Sequence, residues 1–193
     1  LVVGNNASLQ INGRSSLTSQ LENEIVFQGD RLQANYANVP GQWETVWLGE
    51  STNVNIDHLT IKNASIGLLI QNNNGTSINI KNTQIYNSAH YGILAQKGKI
   101  VAENLVVNNA GEAALACTYG GNYTFTHCTF NNNWNTSNQM AVALSNFKLG
   151  AVPETNALSK ATFNNCIIYG AYANELELSK KTGAAFEYQF NNC

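Results

Sequence analysis

Charge is scarce in this chain: Asp, Glu, Lys and Arg make up 11% of its 193 residues and leave a formal net charge of −2. Without a basic surface to neutralise phosphates, nucleic acid is excluded as a partner and anionic membranes are disfavoured. No run approaches the ~18 apolar residues of a membrane span, so this segment is not expected to insert directly into a bilayer. The start, Leu1-Val2-Val3-Gly4, has none of the basic region, apolar stretch and cleavage site of a secretion signal. No two of the four cysteines stand in a Cys-x-x-Cys pair, which removes the usual zinc spacing, and no metal or other cofactor is expected. Composition does not shift along the chain, so residues 1–193 are read as a single domain. Both ends look cut from a longer protein, because Leu1 to Val3 already reads as strand and the chain stops at Asn192-Cys193 in mid-repeat.

What is abundant is asparagine, 31 residues or about 16%, spread evenly along the chain. Even spacing points to a repeat. The segments 56–61, 80–85, 102–107, 125–130 and 163–168 align, and His58, Asn82, Asn104, His127, Asn165 and Asn192 share one place, at spacings of 24, 22, 23, 38 and 27 residues. The spacing of 38 contains an insertion between Ser145 and Ala161, around Gly150-Ala151-Val152-Pro153, read as a loop leaving the coil.

A coil of 22–24 residues cannot bury its own apolar side, so successive coils must stack. The period-2 alternation puts Ile56, Leu59 and Ile61 inside, with Ile80, Ile85, Leu105 and Val107 in the same columns. The fold class is therefore all-β: a right-handed, single-stranded parallel β-helix of the pectate-lyase-like solenoid kind, with about eight coils. The His/Asn column marks a corner whose backbone must be left-handed, which Asn and His tolerate. A second corner is expected at Asn63, Asn87, Asn109, Asn132 and Gly170. In a third strand Leu68, Ile93, Leu115, Leu144 and Leu176 should point in, while Gly67, Leu69, Gly92, Leu94, Ala114, Ala116, Ala143 and Ser145 should point out.

The candidate chemistry is thin. Asp57, Lys81 and Glu103 fall in one outward column and read either as a site for a cation or charged sugar or as a cross-coil ion ladder. Glu175 and Glu177 are the first acids on the third-strand face. Trp43 and Trp47 should both point outward, forming a sugar-stacking platform or packing under the loop Gln28 to Gln42. Trp134, with the polar lip Asn135 to Gln139, is a third ligand-binding candidate. Cys128, Cys166 and Cys193 share an inward column and, with Cys117, read as buried thiols. His90 shows no partner in the sequence. The Asn-x-Ser/Thr triplets at Asn6, Asn63, Asn74, Asn122 and Asn135 are expected by chance in so Asn-rich a chain.

The segments Ile25-Val26-Phe27-Gln28-Gly29-Asp30-Arg31-Leu32 and Tyr36-Ala37-Asn38-Val39-Pro40-Gly41-Gln42-Trp43, together with Ile56-Asp57-His58, Gly120-Gly121-Asn122-Tyr123 and Cys166-Ile167-Ile168-Tyr169-Gly170, resemble a family of bacterial envelope β-helix repeat proteins. The resemblance implies a secreted, lipoprotein-like protein of the Gram-negative cell envelope and carries no activity to particular residues. Two functions are weighed. One is a non-catalytic surface module whose partner is a polysaccharide or another envelope protein. The other is a polysaccharide lyase or glycoside hydrolase, with Ca²⁺ as a cofactor only in the lyase case.

Overall fold

A computed structural model describes residues 1–4, 6–13, 25–50, 52–73, 76–134, 139–150 and 153–193. Asn135 to Asn138 of the polar lip, Ala151 and Val152 of the insertion, and Asn74 lie outside the described residues.

Each coil contributes one strand to each of three parallel sheets. The first sheet stacks Ser8–Asn12, Asn53–Asp57, parts of the long strands Ile78–Ser88, Tyr91–Ala110 and Ala113–Thr126, then Leu158–Asn164 and Gln189–Asn191. The second runs from Ile25–Phe27 through Leu59–Lys62 to Thr129–Asn132 and Ile167–Gly170. The third stacks Val2–Val3, Val46–Leu48, Ile66–Gln71, the starts of Tyr91–Ala110 and Ala113–Thr126, then Met140–Ser145 and Leu176–Ser179. Seven strands at ~4.8 Å make a rod roughly 30 Å long.

The core is the set of inward ladders these registers create. Ile56, Leu59, Ile61, Ile80, Ile85, Leu105 and Val107 are all buried. Each such side chain withdrawn from water contributes about 1.5–3 kcal/mol against the entropy of ordering the coil. Toward the C-terminal end the ladder turns aromatic: Phe125 stacks on Phe163 at 5.0 Å and Phe163 on Phe190 at 4.8 Å, with Phe130 edge-on to Phe125.

The first corner is left-handed at all six positions of the His/Asn column, with φ of 55° at His58, 47° at Asn82, 52° at Asn104, 53° at His127, 52° at Asn165 and 53° at Asn192. The side chains link coils: Asn82 Nδ2 donates to Asp57 Oδ1 (2.8 Å), Asn104 Nδ2 to Asn82 Oδ1 (3.2 Å) and Asn192 Nδ2 to Asn165 Oδ1 (3.3 Å). At the second corner Asn63, Asn87 and Asn109 are left-handed, but Asn132 and Gly170 are not, contrary to the sequence expectation. After Asn63, Asn87 and Asn109 the third-sheet strand begins within three or four residues, whereas Met140 lies eight residues past Asn132 and Leu176 six past Gly170, so no tight turn is needed. Asn132 is buried instead as a bracket, donating to the Ala110 and Met140 carbonyls (2.8 and 2.9 Å) and accepting from the Ala110 N–H (3.0 Å). Gly170 leaves room for the Glu175 carboxyl, whose carbon would lie 2.0 Å from a Cβ there and would have to swing aside. A third corner, not foreseen, has Asn72, Lys97 and Tyr119 at φ of 56°, 56° and 60°.

Two third-sheet expectations are corrected. Leu115 pairs with Val142 and Cys117 with Leu144, so Val142 is the inward partner of Leu68, Ile93 and Leu115. Gly67 and Gly92 face inward, since a Cβ on them would lie 2.5 Å from Ile85 Cγ2 and 2.3 Å from Val107 Cγ1; Ala114, next in that column, is fully buried. The small residues let the third sheet close against the second.

Candidate functional site

The outward face of the third sheet carries a groove of about 620 Å³. Its floor is apolar, with Met140 and Ala143 part-exposed beside the buried Ala113 and Ala116 of the neighbouring strand. One rim holds a three-residue cluster: Glu112 Oε1 lies 2.8 Å from His90 Nδ1, and the Tyr91 hydroxyl donates to Glu112 Oε2. Burial first, then the hydrogen bond to Glu112 and the charge of that carboxylate, push the Tyr91 phenol far above its ordinary range, so it is held as a donor.

The opposite rim is built by the insertion. Contrary to its reading as a loop that leaves the coil, it folds back as an antiparallel pair of strands, Phe147–Lys148 against Glu154–Thr155, and lines the groove with Phe147, Lys148 and Leu149. Lys148 Nζ lies 3.1 Å from Glu154 Oε2, and the Tyr119 hydroxyl donates to the same oxygen at 2.8 Å. The Tyr119 hydrogen bond and then Lys148 hold the Glu154 carboxyl below the usual range, and the same hydrogen bond raises Tyr119. Buried Asn146 ties the base of this insertion to the last coil through the Lys181 and Ala184 carbonyls (2.9 and 3.0 Å) and the Lys181 N–H (2.8 Å).

Between the rims an uncharged column runs along the rod, with Gln71, Gln96, Thr118, Ser145 and Ser179 on successive coils. Glu177 enters the groove beside it and accepts from Ser179 Oγ at 2.6 Å.

The other sequence candidates lie elsewhere. Asp57, Lys81 and Glu103 are in register on the first sheet, where Lys81 Nζ approaches Glu103 Oε2 at 3.2 Å and Asp57 Oδ1 lies 2.8 Å from His58 Nδ1. Both members of the Lys81–Glu103 pair are half exposed, so it contributes about 1 kcal/mol or less. Glu175 and Glu177 do not act together: Glu175 Oε1 accepts from the Tyr172 N–H (2.7 Å), folding its carboxyl back onto its own loop. Trp43, expected outward, is half-buried against the core and donates to the Lys62 carbonyl at 2.8 Å, while Trp47 is 39% exposed. Trp134 is half-buried. Cys117, Cys128 and Cys166 are buried free thiols and Cys193 is an exposed one; burial pushes Cys117 up, and a hydrogen bond with Cys166 followed by burial does the same to Cys128. Among the described residues no three His, Cys, Asp or Glu side chains converge to hold a metal ion.

Glu112, Tyr91, Lys148 and Glu154 were not singled out from the sequence, and His90 does have an acidic partner. The signal was available for Glu112, which follows His90 by 22 residues, one coil length. None existed for Lys148 and Glu154, which belong to the non-repeating insertion.

Three in-register parallel sheets wound from one chain define a parallel β-helix. The chain belongs to the family described as right handed beta helix region, whose model matches residues 44–193. No curated protein and no solved structure matches it.

Proposed function

We propose that this chain is a non-catalytic recognition module that binds a glycan in the groove on its third sheet, as part of a protein of the bacterial cell envelope. The observation that carries the reading is the groove itself: an apolar floor able to take the face of a sugar ring, between rims of hydroxyl, amide and carboxylate groups able to take its hydroxyls. The envelope location rests on the family resemblance noted in the sequence. The alternative, a lyase or glycoside hydrolase, draws on the acid–base cluster of Glu112, His90 and Tyr91.

Spacing favours recognition. Glu177 stands two coils above Ala116, which is four residues along from Glu112, so the two groove residues start from Cα positions roughly 16 Å apart, and each carboxylate is held by its own partners, Glu112 by His90 and Tyr91 and Glu177 by Ser179, not by the other. Retaining hydrolysis needs carboxyl groups about 5–5.5 Å apart and inverting hydrolysis about 6.5–9.5 Å. Tyr91, with its phenol proton held by Glu112, is a poor base for β-elimination.

The test is titration of the purified chain with a panel of neutral and acidic polysaccharides, with and without calcium, while release of reducing ends is followed. Binding without release is expected. Release would replace the module by an enzyme, and neither signal would leave another envelope protein as the partner.

A further inference from the structure

The groove's lining is specific about charge. Its long axis is followed by the uncharged column Gln96, Thr118, Ser145 and Ser179, one residue per coil. Gln96 already accepts from Gln71 Nε2 (3.0 Å), which leaves its amide N–H groups to donate.

The ionic groups are two carboxylates and one lysine. Glu112 is fixed by His90 and Tyr91, Glu177 by Ser179, and Lys148 already faces Glu154 at 3.1 Å. An acid group brought in by a ligand would meet Glu112 or Glu177 with no free cation among the described lining residues to answer it. Hydroxyl groups, by contrast, can donate to both carboxylates without charge repulsion.

Resting on the glycan reading above, we infer that the groove selects a neutral polysaccharide laid along the rod axis, and that Glu112 and Glu177 exclude chains bearing uronate or sulfate. The carboxylates are specificity-determining residues in this assignment, and the hydroxyl and amide column supplies the affinity.

The experiment compares, at low ionic strength, binding of glucan, mannan and galactan with binding of polygalacturonate and alginate of matched length. The best neutral polymer should bind at least tenfold more tightly than either polyuronate. In the Glu112→Lys/Glu177→Lys variant polyuronate affinity should rise at least tenfold, with the circular dichroism spectrum and thermal midpoint unchanged. Polyuronate bound by the native chain as tightly as the neutral polymers overturns the charge selection and leaves glycan binding standing. A charge-reversed, folded variant that gains no polyuronate affinity also overturns it. Binding of no polymer at all removes both readings.

Discussion

A residue at a β-helix corner is chosen by its backbone before its chemistry. Left-handed φ costs an ordinary L-residue about 1–2 kcal/mol, and Asn and His tolerate it because their short polar side chains hydrogen-bond locally. Asn104 illustrates both halves, with φ of 52° and a side chain that donates to Asn82 on the coil before it. Replacing it with alanine should lower stability by about 1–2 kcal/mol in urea unfolding, whereas Asn104→Gly should recover most of the backbone part. Equal losses in the two variants would assign the effect to the side-chain ladder. This column was legible because one backbone demand recurs once per coil. Asn132 was misread because asparagine also serves as a buried hydrogen-bonding bracket, and composition does not distinguish the two uses.

At the scale of elements, the third sheet shows where alternation stops being informative. Gly67 and Leu68 both face the interior, as do Gly92 and Ile93, so a strict period of two sends the glycines outward. Shifting a strand by two residues leaves every side chain on its original face, so the hydrophobic pattern could not choose between Val142 and Leu144 as the partner of Leu115. The backbone ladder made the choice. Gly92→Ala should cost about 1–3 kcal/mol through overpacking, since the new Cβ would meet both Val107 Cγ1 (2.3 Å) and the Ala114 carbonyl oxygen (2.6 Å). A thermal midpoint equal to that of the native chain would show that the sheets can move apart there.

The groove-side strand pair has its own pH dependence. The Glu154 carboxyl lies below its usual value of 4.5, so the stability it lends is present above that value and is lost as pH falls through its lowered folded value. Tyr119 is raised above 10.0, so its share is present below that value and lost as pH climbs through its raised one. The Glu154 side-chain carbonyl resonance should titrate with a midpoint below 4.5, and Tyr119→Phe should move that midpoint up. An unmoved midpoint would assign the lowering to the lysines, Lys148 before Lys97.

For the molecule as a whole, each coil rests on its neighbours and its apolar columns have no meaning in isolation. Three of the four thiols are sealed in that stack. A thiol reagent should therefore label about one cysteine per native chain, Cys193, and all four after denaturation. Prompt labelling of Cys117, Cys128 or Cys166 would show the coils opening independently.

The repeating part of this protein is legible in its residues alone: the period, the parallel stacking, the inward columns, the first corner and the cysteine column. Each is a local demand imposed once per coil, so it accumulates into a visible spacing. The groove is different, because its members meet only when neighbouring coils and one insertion are brought together. His90 and Glu112 join across a coil, and Lys148 reaches the opposite rim because its insertion folds back beside the third sheet, held by Tyr119, Glu154 and Asn146. Those contacts follow from where a non-repeating segment finds hydrogen-bond partners, which is settled in three dimensions and leaves no periodic mark along the chain.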